Sequence, residues 1–418
     1  MSASVISPAS PGLSSKGETL ARRLFWLSIG VFFIGGFLTS SVSLLVPQLK
    51  AMLSLDYKGA LLIQLAFHSS YLLFALPAAL AVVRAGYMRA ITAGLCVMAA
   101  GCIALAVAQG MRDFLVVLCA LLLLSAGQTV LQIASNTVVT VIGPSRGAAA
   151  RLTLLQGFNS LGTVLGPLLS APFLLADIAP GDRASVTASL PFMASGAILS
   201  ALSIAYFTQR AMLNGGEDRD DGPVLTTRIF AVIEDRRLLW GTAAIFVYVG
   251  AEVTIGTLMT NILMLPERLA VTPVTAGRLV SLYWAGAMIG RFAGAWAIRH
   301  VPETRLLFHV SLAAVILTGA AIVLPGPAGA CALIAIGLCN AIMYPTIYAL
   351  AMPRDARLAP LASMWLCMAV VGGAIVPMMT GAAADAIGLL PSLLLPALCY
   401  AGIALFARTC GTQRGAQA

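Results

Sequence analysis

A carboxylate stands in the middle of an apolar run. Glu252 lies in Tyr248-Val249-Gly250-Ala251-Glu252, about halfway along residues 238–265. At bilayer depth such a group costs several kcal/mol, between ~3 and more than ~10 by different measures. A residue held at that cost faces a polar cavity, where a carboxyl can take up and release a proton. The chain has 16 acidic residues, and none of the others sits near the middle of an apolar run.

Amides and hydroxyls repeat at helical spacing around it. Gln128, Gln132, Ser135, Asn136 and Thr140 fall on one helix face, as do Gln156, Asn159, Ser160 and Thr163. Gln64, His68 and Tyr71 make a third stripe, and Asn340, Tyr344 and Tyr348 a fourth, while Tyr248 precedes Glu252 by one turn. Amides both donate and accept, which suits a solute with many hydroxyls. The bland alternative is that polar residues glue membrane helices together, at only about 0.6 kcal/mol per bond. That alternative is preferred for any single Ser or Thr. A cavity is preferred for Gln132, Gln156 and Asn159, whose neighbours share their face. His68 is open between a structural histidine, a solute contact and a titrating group.

Twelve apolar runs must position these groups. They cover roughly 24–47, 59–83, 88–109, 114–141, 152–175, 189–209, 238–265, 275–299, 304–325, 328–352, 359–384 and 390–408. Each is long enough for a membrane helix of about 20 residues. The chain is 60% hydrophobic and 10% charged, against roughly 25% charged for a soluble protein. Lipid allows only helices or closed barrels, and continuous runs without alternation choose helices. The expected fold is an all-α integral membrane protein of twelve transmembrane helices in two pseudo-symmetric six-helix bundles.

The net charge of +9 follows topology and does not suggest nucleic acid. With the N-terminus cytoplasmic, 18 of the 25 Lys and Arg residues fall in the tails and inner loops, six fall outside, and Arg291 lies within a span. That bias sets both termini inside a bacterial inner membrane. Arg291 is eight residues from Arg299, ~12 Å along a helix, near enough to the cytoplasmic face to snorkel. It sits among Gly286, Gly290 and Gly294, a spacing that permits close helix packing. A gating or structural role is expected of it ahead of solute binding.

The longest polar connection, about 210–237, divides the spans six and six. The expected organisation is a disordered cytoplasmic tail (1–22), an N-terminal bundle (23–209), a cytoplasmic linker (210–237), a C-terminal bundle (238–409) and a cytoplasmic tail (410–418). Phe32-Phe33-Ile34-Gly35-Gly36 in the first span is echoed weakly by Phe246-Val247-Tyr248-Val249-Gly250 in the seventh. Paired six-helix halves with a site at their interface are a transporter plan. The eight cysteines are isolated, without metal-ligand spacing, and read as packing residues. The N-terminal stretch lacks the basic start and short apolar core of a cleaved signal peptide. No zinc-protease, nucleophile-elbow or Walker sequence is found, so neither an enzyme, nor a metal or cofactor, nor an ATP-driven pump is expected.

These features carry a family resemblance over about 30–408. Its stretches include Leu65-Ala66-Phe67, Leu131-Gln132-Ile133-Ala134-Ser135-Asn136, Arg151 to Thr163, Tyr248 to Glu252, Ile289-Gly290-Arg291-Phe292 and Tyr344-Pro345-Thr346-Ile347. The chain resembles the major facilitator superfamily, and within it the fucose/proton symporter family, nearest its glucose/galactose permease branch. The resemblance implies uptake of a monosaccharide, a hexose or amino sugar, driven by a proton or other cation gradient through alternating access. The positions matching family solute contacts are Gln132, Asn136, Gln156, Asn159 and Glu252; Gln64, His68 and Tyr344 join them as candidates. Two departures stand out. Relatives carry an Asp or Asn-Asp pair where this chain has Ser40, Ser41, Val42 and Ser43, and the fucose-type branch has an acid at the place of Gln132. If proton coupling survives, Glu252 is its carrier. The chain is expected to act as a monomer. Other readings are a transporter of a different polar metabolite, such as a siderophore, and a membrane sugar sensor, which would usually show an appended signalling domain.

Overall fold

The computed structural model describes residues 15–52, 70–111, 113–141, 147–174, 182–209, 235–353, 355 and 358–415. Among the described residues every regular element is a helix. The first six segments are α1 (Ser15–Met52), α2 (Ala75–Ala85), α3 (Tyr87–Met111), α4 (Phe114–Val141), α5 (Ala148–Leu174) and α6 (Asp182–Thr208). The second six are α7 (Arg236–Met264), α8 (Pro273–Ala297), α9 (Glu303–Val323), α10 (Gly326–Ala351), α11 (Ala359–Ile387) and α12 (Leu394–Gly415). Each of the twelve apolar runs coincides with one segment; the part of the second run before Ser70, with Gln64 and His68, lies outside the described residues. Among the described residues ten helices are long and apolar enough to cross a membrane; the others are α2, described only in part of its run, and α8, which carries Arg278 and Arg291. The outer surface is apolar, with Trp296, Val323, Met378 and Leu398 all exposed, as a lipid-facing wall requires.

Helix starts are written locally. Asp113 accepts from the Leu115 amide (2.8 Å) ahead of α4, and Asp235 from the Arg237 amide (2.8 Å) ahead of α7. Thr272 caps α8, with Pro273 at the first helical position. Helix boundaries extend past the expected tails: α1 begins at Ser15, inside 1–22, and α12 continues to Gly415, beyond 409. An established helix adds one bond per residue, and neither stretch contains a Pro to stop it. Of the stretch 210–237, residues 210–234 lie outside the described residues. Two helices are interrupted. α10 breaks at Ala341-Ile342, and α11 passes through a 3-10 turn at Ala369–Val371.

The packing repeats with a shift of six helices. α1 packs on α5 as α7 does on α11; α3 packs on α4 and α6 as α9 does on α10 and α12; α2 packs on α4 as α8 does on α10. The weak echo between the first and seventh spans has its cause here, in backbone-to-backbone crossings. A Cβ on Gly36 would stand 2.8 Å from the Asn159 carbonyl carbon, and one on Gly162 2.9 Å from the Phe37 nitrogen. In the other half, a Cβ on Gly250 would lie 2.6 Å from Val376 Cβ, and one on Gly372 2.7 Å from the Phe246 carbonyl carbon. Small residues let membrane helices approach where no hydrophobic force drives them together. We expect Gly162→Val to push α1 off α5 and to lower the thermal unfolding temperature of the detergent-solubilised protein, at a cost of about 1–3 kcal/mol or more. Gly402→Ala, where an added Cβ meets open space, is the control. Equal melting of the two variants would contradict so close a crossing.

Candidate functional site

Four helices of the N-terminal half line a narrow polar cleft. α4 supplies Gln128, Gln132, Ser135 and Asn136, α5 supplies Asn159, and the apolar lining comes from α1, α3 and Leu131 of α4. The α4 stripe faces this space as its spacing requires, except Thr140, whose hydroxyl donates to the Thr137 carbonyl (2.8 Å). The α5 stripe divides. Asn159 turns towards α1 and donates to the Phe32 carbonyl (2.9 Å). Ser160 and the Gln156 backbone turn towards α8, and Gln156 is not part of the cleft wall.

Glu252 and Arg291 meet on the C-terminal half. The guanidinium lies 3.9 Å from the carboxylate, and both side chains are 14% exposed. Arg291 also donates to the Ser160 hydroxyl and, at 3.5 Å, to the Gln156 carbonyl. It therefore does not snorkel to the membrane face. A counter-charge and two acceptors inside the bundle outweigh the pull of the interface. One side chain thus joins the buried acid of one half to α5 of the other, next to Asn159. Phe158 and Phe292 stack edge to face beside it, with centroids 5.7 Å apart.

A buried polar chain holds Glu252 in place. Tyr283 donates to the Glu252 backbone carbonyl (3.1 Å), Asn340 to the Tyr283 hydroxyl (2.7 Å), and Tyr248 to the Asn340 carbonyl (3.1 Å). Tyr344, tilted against Tyr248 at 6.4 Å, accepts from the Gln132 amide across the halves (3.2 Å). Deeper still, Tyr348 and Ser363 share a 2.5 Å bond, Tyr348 lies 3.3 Å from Thr137, and Ser363 donates to the Ile133 carbonyl (3.1 Å). The halves are thus bonded at the end formed by the last turns of α4 and the first turns of α5 and α11.

Tyr283, Ser363 and Thr137 are not marked by the sequence patterns above. Tyr283 stands eight residues before Arg291, on the same helix face, and that spacing is its available signal. Ser363 and Thr137 carry no such signal, because their partners lie on other helices. In α1, where the family resemblance leads one to expect an acid, Ser40 donates to the Gly36 carbonyl (3.1 Å) and Ser41 bonds to Ser170 of α5 (2.8 Å). Both hydroxyls are spent on packing.

The chain is 37% identical to a glucose/galactose transporter of Brucella abortus over 379 residues, covering 90% of this chain and 91% of that protein. It is 29% identical to the L-fucose-proton symporter of Escherichia coli over 411 residues, covering 92% of each. Its fold superposes on the crystal structure of FucP in the outward conformation with a TM-score of 0.82 and 26% identity, covering 92% of this chain and 98% of that one. The sequence profile of the Major Facilitator Superfamily matches residues 27–377. Twelve helices whose packing repeats after six, a polar cleft closed at one end by bonds between the halves, and this match together make the chain a member of the Major Facilitator Superfamily, a membrane transporter and not an enzyme.

Proposed function

We propose that the protein imports a monosaccharide, a hexose or amino sugar, together with a proton, by alternating access. The observation that carries this reading is the arrangement of the two walls. Neutral amides of Gln132, Asn136 and Asn159 line the cleft on one half, and the Glu252–Arg291 pair stands on the other. The names of the Brucella and Escherichia relatives support the sugar and the proton. The charge bias supports a bacterial inner membrane location with both termini cytoplasmic and two six-helix bundles joined by the 210–237 linker. With that orientation the bonded end is cytoplasmic, and the cleft belongs to an outward-facing state.

Among the described residues Glu252 is the acid within a span interior, so it carries the proton. Arg291 holds it in register and ties α8 to α5 while the cytoplasmic end is shut. Gln132, Asn136 and Asn159 contact the solute from the cleft wall, with Gln132 doubling as a bond between the halves, and Gln156 and Tyr344, which stand off that wall, join the site when the halves move. Gln64 and His68, which lie outside the described residues, are proposed as further solute contacts on their spacing in the sequence alone. The protein works as a monomer, each chain holding both halves of the site.

Uptake of radiolabelled hexoses and amino sugars into proteoliposomes, with and without an acid-outside gradient, tests the reading. Gradient-stimulated accumulation of at least one of them is expected; none would remove the sugar. Ala at Gln132, Gln156 and Asn159 should each lower affinity, by up to ~10-fold for one lost neutral hydrogen bond. Normal affinity in all three variants would remove the site.

A further inference from the structure

We infer that Gln128 and Ser135 of α4, together with Asn136, form a subsite that reads the hydroxyls of an uncharged end of the solute, and that the first two are specificity-determining residues. The inference rests on the monosaccharide reading above and refines it. Gln128, Ser135 and Asn136 all line the cleft and are at least nine-tenths buried. Four of their polar atoms have no hydrogen-bond partner: Gln128 Oε1, Ser135 Oγ, and both Nδ2 and Oδ1 of Asn136. Interiors pair nearly all such atoms.

The remaining hydroxyls of α4 obey that rule. Ser125, Thr129, Thr137 and Thr140 each bond a carbonyl of their own helix at 2.6–2.9 Å. Ser135 has the same option and does not take it. On α4 the unpaired atoms are therefore confined to the residues facing the cleft.

The pattern has a definite hydrogen-bond polarity. Gln128 Nε2 donates to Thr39 Oγ1 (2.8 Å), and Thr39 gives its own proton to the Gly35 carbonyl (2.9 Å). The amide is thereby locked, because reversing it would set two acceptors face to face. Gln128 offers the cleft an acceptor only. Asn136 offers a donor and an acceptor, and the Ser135 hydroxyl can serve as either. From Gln128 to Asn136 the ladder rises ~12 Å, enough to meet several hydroxyls of one small solute. Val31, Phe32, Met98 and Leu131 supply the apolar surface for its C–H face. Among the described residues no lining residue is charged. A carboxylate or phosphate at this end would meet the Gln128 oxygen, whereas a deoxy position would leave an amide orphaned.

The test measures equilibrium binding of radiolabelled hexoses to the full-length protein in detergent. Competitors are single-position deoxyhexoses and a hexuronate. The variants are Gln128→Met, which keeps length and drops the oxygen, and Ser135→Ala, which is nearly isosteric; melting of each is checked in parallel. We expect each to weaken hexose binding about 2- to 10-fold. We also expect non-additivity. A deoxyhexose that binds wild type about 10-fold worse than its parent should lose nothing more on the variant lacking its partner group. The hexuronate should bind wild type worse than the hexose. Binding of both folded variants within twofold of wild type, or additive losses for every pairing, would overturn the subsite while leaving sugar transport intact. Failure of wild type to bind any sugar of the panel would overturn the monosaccharide reading and the subsite with it.

Discussion

Glu252→Gln abolishes accumulation of solute against its gradient while exchange of internal for external solute continues. This is the larger of two expected effects. The carboxyl is within a span and nearly enclosed, at 14% exposure. The amide keeps its size and much of its hydrogen bonding, and removes only the proton. Symport of one proton down a gradient of about one pH unit can supply roughly 1.4 kcal/mol, or about tenfold accumulation. The variant should stay at onefold. Counterflow needs only a solute site and alternating halves, so it should persist, and Tyr283, Asn340 and Tyr248 hold the backbone around position 252 regardless of side-chain charge. The measurement is uptake into proteoliposomes with and without a protonophore. Wild-type accumulation by the variant, collapsed by the protonophore, would place the proton site elsewhere, with His68 the next candidate.

Arg291→Gln should destabilise the protein and loosen the contact between the halves. Removing one partner of a buried pair leaves the other uncompensated, at about 3–5 kcal/mol. Here the 3.9 Å separation of guanidinium and carboxylate favours the low end of that range. The same change deletes the bond to Ser160 that joins α8 to α5. The discriminating variant is double. With Glu252→Gln also present no charge is left stranded, so most of the stability should return while accumulation stays lost. Thermal unfolding of the two singles and the double in detergent gives the coupling between the sites. A double variant whose loss equals the sum of the single losses would mean the two charges do not act on one another.

The architecture is legible in the sequence because lipid makes it so. Backbone groups unpaired in hydrocarbon force helices, and their length must match the bilayer; hence each of the twelve runs overlaps one helical segment, the second over its described part. Helical period likewise puts Gln128, Gln132, Ser135 and Asn136 on one face, and that face lines the cleft. Glu252 announces itself by the cost of its burial. The sequence by itself therefore determined the elements, their number and which face of each is polar. It could not determine which faces meet. Period assigns a residue to a side of its own helix and says nothing of the helix opposite. Only tertiary structure split the α5 stripe between cleft and α8, sent Gln132 to Tyr344, and brought Ser363 against Ile133. Arg291 shows the same limit most clearly. Its depth alone favoured the interface, but Glu252, 39 positions away in the chain, and Ser160 in the other half together offered it a better partner inside.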